Sequence, residues 1–238
     1  MGKNKLARFA EMDILPNVVQ SPFSEALNTK FKFKGVWKQD FFKNQNPLVL
    51  ELGCGKGEYT VGLAKRFPDK NFLGVDIKGS RMWVGARQSF NEKILNAAFL
   101  RTRIELIDSF FENSEVDEIW ITFPDPQLKN KRTKKRLTSS SFLTKYRTFL
   151  KKDGIVHLKT DSDPLFNYTR KLLKYNLLPI LTETDNLYST NFADDIRSIR
   201  THYETLFMEK GENITYLKFN IHSTNNITEP PDEEEAQQ

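Results

Sequence analysis

Three carboxylates and a block of cations are spaced so that they could do chemistry. Glu51 is the penultimate residue of an apolar run, PLVLEL (47–52), and Gly53, Gly55 and Gly57 follow it. Asp76 lies near the end of a second apolar run, NFLGVDI (71–77). Asp125 stands between Pro124 and Pro126, just after a third, VDEIWITF (116–123). Six cations then crowd into eight residues: Lys129, Lys131, Arg132, Lys134, Lys135 and Arg136.

Glycines after a strand let the chain turn sharply and approach a ligand with no Cβ in the way, and the following helix offers unbonded N–H groups to it. A phosphate-binding G-x-x-x-x-G-K-[ST] loop is excluded because Gly57 follows Lys56. The dinucleotide spacing G-x-G-x-x-G is missed by one residue. What remains is the E-x-G-x-G-x-G loop of enzymes that use S-adenosylmethionine (SAM). SAM carries a sulfonium and an ammonium, so an acid at Glu51 suits it, and a carboxylate at Asp76 can accept both ribose hydroxyls. Cys54 reads as a small residue filling the turn. His157, His202 and His222 are scattered, and no metal site is expected.

The loop at Asp125 is stiffened by its flanking prolines, which fix φ and remove donors. A rigid loop presenting one carboxylate can hold a planar base. So much like charge over 129–136 repels itself unless an anion is near, and beside this loop it reads as a contact for nucleic-acid phosphates. Lys129, nearest to Asp125, is the candidate for the substrate nucleotide. HLKTD (157–161) brings Thr160 and Asp161 to another strand end, and Arg197 and Arg200 precede a THYE segment (201–204).

Positioning these groups requires a sheet. Strands are expected at 47–52, 71–77, 97–102, 116–123 and 154–160. Helices are expected at 58–67 (Tyr59, Leu63 and Phe67 on one stripe), 79–95 (Met82, Ala86, Phe90), 139–150 and 164–175. Two late apolar segments, near 177–182 and 213–220, read as an antiparallel edge pair. Alternating strands and helices predict an α/β fold with a mostly parallel, seven-stranded sheet covered on both faces, whose ligand lies at the carboxyl ends of the strands. Residues 1–30 read as a patternless, flexible basic arm, 31–221 as the catalytic domain and 222–238 as a disordered acidic tail.

Composition sets outer bounds. The chain has 238 residues, 38% apolar, with 19 Phe, enough for a core. No apolar run approaches the roughly 20 residues a membrane span needs, and the first residues lack the apolar stretch of a signal peptide. One cysteine excludes a disulfide framework and points to the cytoplasm. The formal net charge is +5, yet five acids fall within 229–235; without them it would be about +10. A basic body fits a polyanionic partner.

Together, ELGCGKGEYT, GVDIK, FPDPQLKNKRTKKRL, HLKTD and THYE resemble the tRNA (guanine-N7)-methyltransferases of the bacterial single-chain type, over residues 45 to 220. The resemblance implies a Rossmann-like class I methyltransferase that methylates N7 of a guanine in the tRNA variable loop, as a monomer or homodimer. It implies SAM contacts at Glu51, Gly53, Gly55, Gly57, Asp76 and Asp125, with Asp125 also catalytic. Substrate contacts fall on Lys129, Asp161, Thr201, His202, Tyr203 and Glu204, and the cations from Lys131 to Arg136 meet the tRNA backbone. Two departures stand out. Gln127 replaces a usual Trp, and RTRIE puts Thr102 or Arg103 where an acid or Asn commonly meets the adenine end of SAM. A SAM enzyme acting on another RNA or on a small molecule is the alternative reading.

Overall fold

The computed structural model describes residues 3–20, 31–190, 199, 202–209 and 211–231. Of the sequence-derived site residues, Thr201, Arg197, Arg200 and the side chains of His202 and Tyr203 lie outside that description, as do parts of the expected arm and tail.

The central strands form where apolar runs are continuous. β2 (Leu48–Leu52) is buried at every position, and β3 (Asn71–Asp76) at all but its last. A strand covered on both faces leaves no place for alternation. With β1 (Val18–Gln20), β4 (Ala97–Arg101), β5 (Val116–Thr122), β6 (Leu150–Thr160), β7 (Ile180–Thr184) and β8 (Thr215–Phe219) they make an eight-stranded sheet in the order β1-β4-β3-β2-β5-β6-β8-β7. The pairs from β1 through β6 are parallel. β8 runs antiparallel to both β6 and β7, so the late edge pair forms as expected.

Among the described residues the α-helices are α1 (Lys3–Met12), α2 (Glu58–Arg66), α3 (Gly79–Asn91), α4 (Ser140–Arg147), α5 (Asp163–Tyr175) and α6 (His202–Glu209). α5 starts where the sequence places a start signal: the Ser162 hydroxyl accepts the Leu165 amide and Pro164 stands in the first turn. The α3 stripe holds for buried Met82 and Ala86 but not for Phe90, which is half exposed one residue before the helix ends. The cation run folds into a short 3₁₀ turn, Asn130–Lys135, with no buried residue.

One face of the sheet is sealed by aromatics. Trp37 is fully buried, donates its indole N–H to the Phe110 carbonyl (2.9 Å) and packs among Phe31, Phe33, Phe41 and Phe111.

Two sequence expectations are corrected. The first residues are not patternless: α1 packs on α3 and β1 adds an eighth strand to the sheet beside β4. Nor is the start of the tail loose. Ile227 is buried, Thr228 and Asn176 exchange hydrogen bonds, and Glu229 accepts from the Ser140 amide (2.9 Å) and the Tyr168 hydroxyl (2.8 Å).

Candidate active site

β2, β3, β5 and β6 deliver their carboxyl ends to one side of the sheet. Between β2 and β5 the chain order reverses, which opens a crevice there. A cleft of about 510 Å³ occupies this position, lined by Glu51, Gly53, Gly55, Asp76, Asp125 and Asp161 among others. Four carboxylates from four separate strand ends therefore face one cavity.

Glu51 is the most constrained of them. It is buried, and one carboxylate oxygen accepts from the Thr60 amide (2.8 Å) and the Thr60 hydroxyl while the other accepts from the Thr122 hydroxyl (2.6 Å). Burial pushes its pKa up to about 7, against the opposing pull of those bonds from Thr122 and Thr60. The two threonines were not apparent as functional residues in the sequence. Their signal is positional: Thr60 falls in the first turn of α2 and Thr122 ends β5.

The glycine turn makes the opening. Gly53, Gly55 and Gly57 all take the left-handed region, at φ 81, 56 and 74. A Cβ on Gly53 or Gly55 would meet nothing nearer than 3.9 Å, an ordinary contact, so neither is closed off by packing where it lines the cleft. At Gly57 a Cβ would lie 2.5 Å from the Phe99 ring, so this glycine serves packing behind the cleft. Asp76 braces the turn by accepting from the Gly55 amide (3.0 Å) and the Lys78 amide (2.8 Å). Cys54 is buried, and burial raises its thiol pKa well above the ordinary value, so it stays protonated as a filler of the turn.

The Asp125 loop is strained on both sides. Phe123 and Gln127 each hold φ at 47, a conformation that non-glycine residues rarely adopt and that clusters at functional sites. The strain is held by the Phe123 amide on the Lys159 carbonyl (2.8 Å), the Gln127 amide on Asp125 Oδ1 (3.1 Å) and the Arg136 guanidinium on the Gln127 carbonyl (3.3 Å). Asp125 itself is exposed toward the cleft.

The other expected residues divide. Lys129 is exposed at the head of the 3₁₀ turn and does not line the cleft; Lys135 does, beside Leu137. Lys131, Arg132 and Lys134 are exposed on the same turn, and Arg136 lies over the Tyr168 ring at 4.2 Å. Thr102 is buried, its amide bonded to the Asp76 carbonyl (3.1 Å), whereas Arg103 lines an adjoining pocket of about 340 Å³ that shares Asp76, Ile104, Lys135 and Leu137 with the cleft. Glu204 departs most from expectation. Its side chain is fully buried and paired with Lys159 at 2.7 Å, and it is absent from the described cleft lining.

The cleft fits SAM on its own chemistry. The open glycine backbones provide a cradle, and Glu51 and Asp76 set two carboxylates where a doubly cationic ligand can meet them. Among the described residues no cluster of acids, His and Cys could hold a metal ion, and no helix is long and apolar enough to cross a membrane.

Comparison with known proteins agrees with this geometry. Residues 45–217 match the family model described as "Putative methyltransferase". The chain is 53% identical to the tRNA (guanine-N(7)-)-methyltransferase of Bacteroides thetaiotaomicron, over 97% of this chain and 90% of that one. It is 51% identical to the protein of that name from Christiangramia forsetii (92% and 98% covered) and 34% identical to that of Clostridium novyi (85% and 93%). Among solved structures it resembles an antibiotic-related methyltransferase (TM-score 0.55, 15% identity, covering 76% and 90%). The 16S rRNA methyltransferase KamB is similar in fold to the same degree (TM-score 0.55, 11% identity, 75% and 89%). At such identities these two likenesses show the fold alone.

Proposed function

This chain belongs to the family of tRNA (guanine-N(7)-)-methyltransferases, and from that premise we propose how its cleft serves the reaction. The enzyme transfers a methyl group from SAM to N7 of a guanine in tRNA. The target is a guanine of the variable loop, and the enzyme works in the cytoplasm as a monomer or homodimer. The observation that carries the assignment is the convergence of Glu51, Asp76, Asp125 and Asp161 on one cleft at the strand ends, with a cation run on its rim.

SAM, when bound, supplies an electrophilic methyl group on a sulfonium. Glu51 would face its cationic end, Gly53 and Gly55 would admit it to the backbone, Asp76 would accept the ribose hydroxyls, and Arg103 and Thr102 would flank the adenine end. Gly57 keeps the turn close-packed.

Guanine N7 carries a free lone pair in the neutral base. No proton has to leave before attack, so no side chain is needed as a general base. Positive charge passes to the base as the N7–CH₃ bond forms and the S–CH₃ bond breaks, the pair staying on sulfur as a neutral thioether, and rate acceleration comes from placement and from fixed negative charge nearby. Asp125 accepts from guanine N1–H and the 2-amine, holding the base in plane and favouring the cation that develops. Asp161 faces the same cation from the next strand. Lys129 meets the phosphate of the target nucleotide, and Thr201, His202 and Tyr203 are assigned to the substrate by the family resemblance alone. Lys131, Arg132, Lys134, Lys135 and Arg136 contact the tRNA backbone.

The test is direct. The protein is incubated with methyl-labelled SAM and unmodified tRNA, and the label is mapped by chain scission at 7-methylguanine. Label at one variable-loop guanine is expected. Label on an exocyclic amine, or on another RNA in preference to tRNA, overturns the reading.

A further inference from the structure

Lys159 is the next-to-last residue of β6, two positions before Asp161. An ammonium at this point would ordinarily reach the cleft. It is fully enclosed instead, 2.7 Å from Glu204, whose side chain is equally buried. Glu204 also accepts the Tyr188 hydroxyl at 2.5 Å. The rings of Tyr59 and Tyr188 lie 5.4 and 5.9 Å from the ammonium, within cation–π range. Lys159 Nζ further donates to the Ile199 carbonyl (3.4 Å), and the Lys159 carbonyl accepts the Phe123 amide at the start of the strained Asp125 loop. One residue thus ties together β6, the Asp125 loop, the turn at Leu187–Ser189 and helix α6.

A buried ion pair adds little stability over well-packed apolar residues of similar volume, while loss of one partner leaves an uncompensated charge. Stability alone is therefore a weak reason to bury a pair here. The place is informative: it is where Asp125, Asp161 and the THYE segment must be set relative to one another. We propose that Lys159 is a positioning residue for methyl transfer. Through its pair with Glu204 it fixes helix α6 against the Asp125 loop, and Glu204 acts inside this latch without touching the substrate base. The proposal rests on the N7-methylation reading above. Wild-type enzyme in each assay tests that reading separately, since no proposal about a variant survives a wild type that does not methylate guanine N7.

Three variants decide the matter: Lys159→Met, Glu204→Gln and the double Lys159→Met/Glu204→Leu. Each is assayed well below its melting temperature, for kcat and KM on tRNA and for SAM affinity. Either single change is expected to lower kcat/KM on tRNA by about 100-fold, the scale of a misplacement of roughly 1 Å, with SAM affinity within a few-fold of wild type. The double variant removes both charges and is expected to recover most of that loss. Normal kcat and KM in a folded single variant would make the pair merely structural. A double variant as impaired as Glu204→Gln would put Glu204 on the substrate. Either result overturns the proposal.

If the single variants fail to fold, Tyr188→Phe loosens the latch while leaving both charges in place. It is assayed on tRNA bearing guanine or inosine at the target, since inosine keeps N7 but lacks the 2-amine. Equal losses on both substrates are expected. A loss confined to guanine would place the Glu204 carboxylate on the 2-amine and overturn the latch.

Discussion

Glu51 holds its proton near neutrality because burial outweighs the hydroxyl and amide bonds from Thr122 and Thr60. Its folded pKa is raised from 4.5 to about 7. The folded state therefore binds the proton more tightly, and this group's stabilising contribution is full below pH 4.5 and lost as pH rises to about 7. A cationic ligand reverses the preference, since it favours the carboxylate. SAM binding should then release a proton below neutrality and tighten as pH rises from 6 to 8, measured by titration calorimetry in buffers of different ionisation enthalpy. Glu51→Gln should flatten that profile and weaken SAM at pH 8. Asp125, exposed and held by its own loop, has a different task. Asp125→Asn should lower turnover on tRNA by about 10²-fold or more, the scale of losing one electrostatic partner of the transition state, with SAM affinity within a few-fold. Near-normal turnover would remove Asp125 from catalysis. Both acids were legible in the sequence because an ionisable group beside an apolar run, next to a glycine or proline turn, has few structural reasons to be there. Thr60 and Thr122 were not, because a threonine in a first helical turn or at a strand end is ordinary until a buried carboxylate is seen between them.

The turn from β2 into α2 separates the work of its glycines. Gly57→Ala must hold φ near 74 and place a Cβ 2.5 Å from Phe99, so it should destabilise by about 2–3 kcal/mol through strain and overpacking, read by urea unfolding. Gly53→Ala meets no wall, its nearest neighbour being the Leu137 side chain at 3.9 Å. It should lose about 1 kcal/mol from backbone strain and far more in SAM affinity, because its methyl enters the cleft. Similar effects of the two changes on both measurements would refute the division. The central strands could be read to within a few residues because parallel strands buried on both faces are written as unbroken apolar runs. β1 could not, since it is three residues long with only Val19 buried. α6 escaped for a physical reason too: one of its core positions is Glu204, whose charge is matched by Lys159 far away in the chain. Periodicity counts apolar residues and cannot count a buried ion pair.

The charge of the whole molecule is divided between a basic body and an acidic end, and the described start of that end, as far as Glu229, packs on the body. From Ile221 to Pro231 the chain runs over α4 and α5: Arg147 donates to the Ser223 and Asn225 carbonyls, and Glu229 reaches the start of α4, four residues beyond Arg136. The Tyr168 ring carries the Arg136 guanidinium on its face and Glu229 on its hydroxyl. Asp232, Glu233, Glu234 and Glu235 follow. Deleting everything after Ile221 would therefore disrupt packing as well as charge, and the informative cut lies after Pro231. RNA gripped through phosphates releases counterions, so log K should fall linearly with log salt. Replacing Lys131, Arg132 and Lys134 by Ala should weaken tRNA binding and make that slope shallower by about 2, at roughly 0.7 for each phosphate left without its cation. Truncation after Pro231 should act in the opposite sense. It removes the four acids that follow Pro231, so affinity for unstructured RNA should rise at low salt, by more than affinity for tRNA, whose shape also contributes. The two slopes are measured by filter binding between about 50 and 200 mM salt, the range over which neutralising several phosphates changes affinity by orders of magnitude. A truncated protein with the wild-type slope on both RNAs would mean that the acids after Pro231 do not compete for the cation run.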